Sequence, residues 1–126
     1  MKSFLLAVLL SAGLLAPSND VSGDWTITGD VQGVGVTDLC TLIQTDAKLS
    51  GSCSMSGKKY DTTGSVDGKK ITFKHGGEYQ GDPLTLTYIG IIADDGSFSG
   101  AIGVDPMGVD GTFAAKKAVA TPPAGM

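Results

Sequence analysis

The sequence contains no arginine. The fixed guanidinium fork that clamps phosphates and carboxylates is therefore missing. Nine lysines face thirteen acids, for a formal net charge of −4. That balance argues against nucleic acid and anionic membrane surfaces as partners. Histidine occurs once, at His75, and glutamate once, at Glu78. One His and two Cys cannot build the ligand clusters that zinc favours, so no metal site is expected. Asp94-Asp95 and the Asp105/Asp110 pair do not match a calcium loop. There is no nucleophile elbow, because Gly96-Ser97-Phe98-Ser99-Gly100 carries Phe at its centre. A Ser-His-Asp triad would have only His75 as its base, and nothing places a Ser beside it. Gly33-x-Gly35 lacks the third glycine and the helix of a dinucleotide site. Neither a cofactor nor enzyme activity is expected.

Long apolar runs are also lacking, with one exception. Phe4 to Leu15 is uncharged, but at about twelve residues it is shorter than the roughly 20 needed to span a bilayer. It follows Met1-Lys2-Ser3 and precedes Ala16-Pro17-Ser18, which puts small residues where a signal peptidase reads. The pattern predicts a signal peptide over residues 1–18, no membrane span, and a periplasmic or secreted protein. No Cys follows the run to carry a lipid. Losing Lys2 would leave eight lysines against thirteen acids, a charge of −5. Residues 118–126 (Ala-Val-Ala-Thr-Pro-Pro-Ala-Gly-Met) have little to bury and are predicted to be a disordered tail. Residues 19–117 then form one domain. A domain of that size buries only about 60–65% of its unfolded surface and gains from a staple.

What is present is alternation. No mature window has apolar residues at helical spacing, and 19 glycines interrupt every long run. Period-two rows begin with Trp25, Ile27 and Gly29, then Val34, Val36, Asp38, Cys40, Leu42 and Gln44. They continue through Leu49-x-Gly51-x-Cys53, Gly64-x-Val66 and Ile71-x-Phe73. The last three are Leu84 to Ile92, Phe98-x-Gly100-x-Ile102 and Val109 to Ala115. Asp46-Ala47, Asp67-Gly68 and Asp94-Asp95-Gly96 read as tight turns between them. Eight strands in sequential hairpins predict an all-β, antiparallel up-and-down meander, and pairing the eighth with the first closes it into a barrel without edges. Setting Thr45 opposite Lys48 and counting outward puts Cys40 opposite Cys53, where side chains approach closely. In an oxidising compartment the two are expected to form a disulfide. The Lys58-Lys59, Lys69-Lys70 and Lys116-Lys117 pairs fall at strand ends as solvated charges that discourage edge association.

Gly23-x-Trp25 at the start of the first strand resembles the opening of calycin barrels, the lipocalin and avidin group. The wider pattern runs Leu42-x-Gln44, Leu49-x-Gly51, Gly64-x-Val66-x-Gly68-x-x-Ile71-x-Phe73, Tyr88-x-Gly90, Gly100 and Gly111-x-Phe113. It is similar to small exported bacterial β-barrel domains of uncharacterised function. Lipocalins set an Arg over this Trp, and avidins line their pocket with several Trp; here there is no Arg and Trp25 is alone. Ser22-Gly23-Asp24-Trp25 also resembles the start of bacterial inhibitors of secreted metalloproteases, whose N-terminal trunk enters the protease cleft. Here Asn19 to Ser22 would form that trunk.

Connections in a meander alternate between the two barrel ends. The tight turns fall at one end. The longer connections are expected at the other, over Asp30 to Gly33, Met55 to Tyr60, Gly76 to Pro83 and Pro106 to Gly108. That end gathers His75, Glu78, Tyr79, Gln80, Asp82, Asp105 and Met107. A ligand site is therefore expected there, with His75, Glu78 and Tyr79 in the loops and Trp25 and Tyr88 in the wall. The function read from the sequence is non-catalytic binding of a small molecule or an extracytoplasmic protein. Protease inhibition or a structural envelope role are the alternatives. Leu39, Ile43, Ile89 and Ile91 point outward on strands that are not neighbours, and a monomer is expected.

Overall fold

The computed structural model describes residues 20–118. The leader expected over 1–18 lies outside the described residues, as does all of the expected tail except Ala118. The described chain is eight strands: β1 (Gly23–Val31), β2 (Val34–Thr45), β3 (Lys48–Met55), β4 (Lys58–Asp67), β5 (Lys70–Tyr79), β6 (Asp82–Ile92), β7 (Phe98–Asp105) and β8 (Val109–Lys117). Each pairs antiparallel with the next, and β8 returns to β1, giving a closed barrel with no free edge.

The inward rows follow the alternation. Trp25, Ile27 and Val31 are buried on β1, and Val36, Asp38, Cys40 and Leu42 on β2. Cys40 pairs with Cys53 and the two form a disulfide. The middle of the interior is filled by aromatic rings. Phe73 stacks on Tyr88 with centroids 4.6 Å apart, and Phe113 meets both edge-on.

Trp25 plugs the lower end, where the chain enters. It lies 4.6 Å from Phe98 and donates its indole N–H to the carbonyl of Val21. Lys117 Nζ stands 5.1 Å from the ring centroid, so a lysine occupies the cationic position over the tryptophan. Val21 is itself buried and tied to Gln44 Oε1, and Ala118 N–H reaches the carbonyl of Asp24. Residues 20–22 therefore lie against the lower end of the barrel.

The interior glycines pack tightly. Gly29, Gly51, Gly64, Gly90, Gly100 and Gly111 sit on inward rows, and a Cβ on any of them would lie within 2.7 Å of a neighbouring strand's backbone. Small residues here let the strands curl closely enough to shut an eight-stranded barrel.

The connections depart from the expected lengths. Gln32-Gly33, Ser56-Gly57 and Gln80-Gly81 are two-residue turns, and Pro106 to Gly108 is only slightly longer. The first residues of these pairs have φ of 55°, 53° and 53°, and the glycines 86°, 83° and 86°. Two positive φ values in succession make type I′ turns, whose twist matches a tight hairpin. β5 and β6 consequently run straight through the stretch assigned to a loop. The longest connection, Ala93 to Ser97, lies at the lower end instead. The turn after β4 is also displaced by one residue: Gly68-Lys69 are its central pair, between Asp67 and Lys70.

Candidate functional site

The upper end of the barrel is open and apolar. A hollow of about 410 Å³ is lined by Val31, Val36, Met55, Leu84, Leu86, Val104 and Val109, with Glu78, Tyr79 and Met107 at its rim. An eight-stranded barrel is just wide enough either to be filled by side chains or to hold one small ligand. This one does the first below and leaves room for the second above. Val34, Tyr79 and Met107 at the mouth are three of the seven large apolar residues left exposed among the described residues. Leu39, Ile43, Ile89 and Ile91 are the other four and lie on the outer wall, as the alternation required.

The predicted site residues separate into three groups. Glu78 and Tyr79 do reach the mouth, but from the end of strand β5. Glu78 is held there by Lys58 Nζ at 2.7 Å, a solvent-exposed pair that fixes direction more than stability. Its carboxylate raises the affinity of the Lys58 amine for its proton, chiefly through that hydrogen bond. Trp25 does not join them. It sits at the start of β1, at the opposite end, where a smaller hollow is lined by charged Asp20, Asp95, Lys116 and Lys117. A residue at the start of β1 lies nearly a full strand length from the β1–β2 turn, and Trp25 does not line the upper hollow.

His75 and Tyr88 form the third group, and both are buried. His75 is expected at the long-loop end, and the alternation Ile71-x-Phe73-x-His75 continues unbroken along β5 and turns the ring inward. It meets Asp38, an acid in the middle of the apolar row of β2 that the sequence reading passed over. Nε2 of His75 lies 3.0 Å from Asp38 Oδ2 and 3.2 Å from the Tyr88 hydroxyl, which donates to the same carboxylate oxygen. Nδ1 lies 2.5 Å from the carbonyl of Gly76, which can only accept, so Nδ1 carries a proton. Nε2 faces both the carboxylate and the hydroxyl, and the three side chains form one hydrogen-bonded unit. Tyr60 flanks the imidazole with ring centroids 6.1 Å apart. Both side chains of the His75–Asp38 pair are fully excluded from solvent. Among the described residues no group donates to Asp38 Oδ1, although it is buried.

This cluster borders the hollow, since His75 pairs with Leu86. Asp38 follows Val36 on β2, Tyr88 follows Leu86 on β6, and Asp38 pairs across the ladder with Met55. Val36, Leu86 and Met55 all line the hollow. No group of His, Cys, Asp and Glu capable of holding a metal occurs among the described residues.

Burial, together with the nearby Asp38 carboxylate, holds the Tyr88 phenol protonated far above its ordinary range. In the unfolded chain Tyr88 ionises near pH 10. Its folded value is raised, so its contribution to stability is complete below about pH 10 and declines as pH rises beyond it. The slope from this one group is up to about 1.4 kcal/mol per pH unit. Denaturant melts between pH 9 and 12 should show this slope, and Tyr88→Phe should flatten it. Equal slopes in the two proteins would contradict the buried, proton-holding role.

No protein-family model matches the chain, and no curated protein matches it. Among solved structures it is similar to a redesigned β-barrel, mFAP1, bound to DFHBI, with a TM-score of 0.57 at 12% sequence identity. The match covers 79% of this chain and 100% of that one. The likeness is one of fold: an eight-stranded antiparallel barrel.

Proposed function

We propose that the protein is an exported, non-catalytic carrier that binds a small apolar molecule in the upper end of its barrel. The observation that carries this reading is the apolar hollow of about 410 Å³ under an exposed Val34, Tyr79 and Met107 rim. Its size lies within the usual 300–1,000 Å³ range of ligand pockets. The redesigned barrel of similar fold, itself bound to DFHBI, is consistent with such use. Export is supported by the disulfide, which persists in oxidising compartments. The sealing of the only His against Asp38 and Tyr88 supports a role without catalysis. The inhibitor reading gains nothing from residues 20–22, since Val21 is buried against the barrel instead of projecting from it.

Titration with Nile red, an apolar fluorophore, tests the proposal. The wild-type protein is expected to enhance its emission saturably. Val109→Lys places a charge in the half-buried lining and is expected to weaken binding at least about tenfold. Thermal melts should confirm that this variant remains folded. Equal titrations for the two folded proteins would remove the upper end as the site.

A further inference from the structure

We infer that the ligand of this cavity has an apolar body and a single hydrogen-bond-donating tip, and that the Asp38 carboxylate reads that tip. The inference rests on the carrier reading above and adds the ligand's chemistry. A buried carboxylate oxygen without a donor is uncommon, because burial without a partner is costly. Asp38 Oδ2 already accepts from Tyr88 and faces His75 Nε2, while Oδ1 receives nothing from the described residues. A carboxylate oxygen accepts, so the group Oδ1 lacks is a donor.

Met55, which pairs with Asp38 across the ladder, and Leu86, one inward residue from Tyr88, both line the cavity, and both crowd Gly77. A Cβ at Gly77 would come within 2.8 Å of Leu86 Cδ1 and 3.3 Å of Met55 Sδ. Those two side chains thus fill the space a larger residue on β5 would take. Methionine, unbranched with three rotatable bonds, is the side chain that most readily vacates such a space. Val36 and the Cys40–Cys53 disulfide flank Asp38 along the inward row of β2. Tyr88 and His75 orient its carboxylate through Oδ2. The result is an apolar socket with one fixed acceptor at its base, a pattern that favours a hydroxyl or amine at the buried end of an otherwise greasy molecule.

The test compares two probes by isothermal titration calorimetry: 2-naphthol and 2-methoxynaphthalene. They share the ring system and the oxygen, but the ether has no donor and is the more apolar of the two. The wild-type protein is expected to bind 2-naphthol about tenfold tighter, the usual value of one charge-assisted hydrogen bond. Asp38→Asn keeps the shape and can still accept from Tyr88 through its carbonyl, which turns an N–H toward the free position. In this variant the preference should vanish or reverse. Binding of both probes to the wild type with the ether equal or tighter would overturn the donor-reading role while leaving the apolar cavity intact. Binding of neither probe would overturn both readings. The wild-type comparison stands by itself if Asp38→Asn fails to fold.

Discussion

Replacing Cys40 and Cys53 together with Ala is expected to lower stability by about 3 kcal/mol on the chain-entropy model, because the disulfide closes a loop with a sequence separation of 13. For a domain of this size that corresponds to a fall in Tm of roughly 10–20 °C. The same loss should appear on reducing the wild-type protein, and reduction should leave the double variant unchanged. A melt within about 3 °C of wild type would show that the closed barrel needs no staple. The consequence extends to the site. Cys40 follows Asp38 by one inward step, and Cys53 lies opposite it, next to Tyr60, which flanks His75. Without the bond, β2 and β3 are joined only by their ladder and their turn. Nile red affinity is therefore expected to fall in the double variant even where most molecules are folded.

The barrel was legible because period-two alternation is a backbone property. In a strand it determines which side chains face inward wherever the pairing is drawn. The Cys40–Cys53 register followed from one turn, Asp46-Ala47, and the structure places Thr45 opposite Lys48. The turns at the upper end were misread for a specific reason. Gln-Gly and Ser-Gly are weaker type I′ signals than Asn-Gly or Asp-Gly, because Gln and Ser gain less in the left-handed region. Reading them as loops places Glu78 and Tyr79 in a connection and His75 at its edge. The strand pattern through Phe73 and His75 already contained the correction.

Asp38 was missed although its position was read correctly. It stood in the inward row Val36-x-Asp38-x-Cys40-x-Leu42, and an acid in such a row must find a donor or remain unsatisfied. The inward row Phe73-x-His75 on β5 supplies one partner and Leu86-x-Tyr88 on β6 another. Three separate strands bring one polar residue each to the same depth, and no local spacing announces such a meeting. Trp25 shows how depth along the barrel is set by position on the strand: the start of β1 belongs to the lower end, away from the upper hollow.

The inward glycines give the second large effect. Gly100→Ala is expected to cost at least about 3 kcal/mol, at or beyond the upper end of ordinary overpacking, and to leave little folded protein at 37 °C. The added Cβ would lie 2.0 Å from the carbonyl oxygen of Ile89 and 2.6 Å from Gly90 Cα, both backbone atoms of the neighbouring strand. No rotamer change relieves such a contact. β6 and β7 must separate, and in a closed barrel a displaced pair cannot shift without disturbing every other ladder. Gly103→Ala provides the control three residues along the same strand. Nothing lies within 4 Å of a Cβ there, and its φ is outside the left-handed region. Alanine at that position should be neutral or stabilise by about 0.5 kcal/mol through reduced freedom of the unfolded chain. Paired chemical denaturation of the two variants distinguishes tight strand contact from a general intolerance of β7. Similar midpoints would mean that the inward glycines are not what lets these strands close.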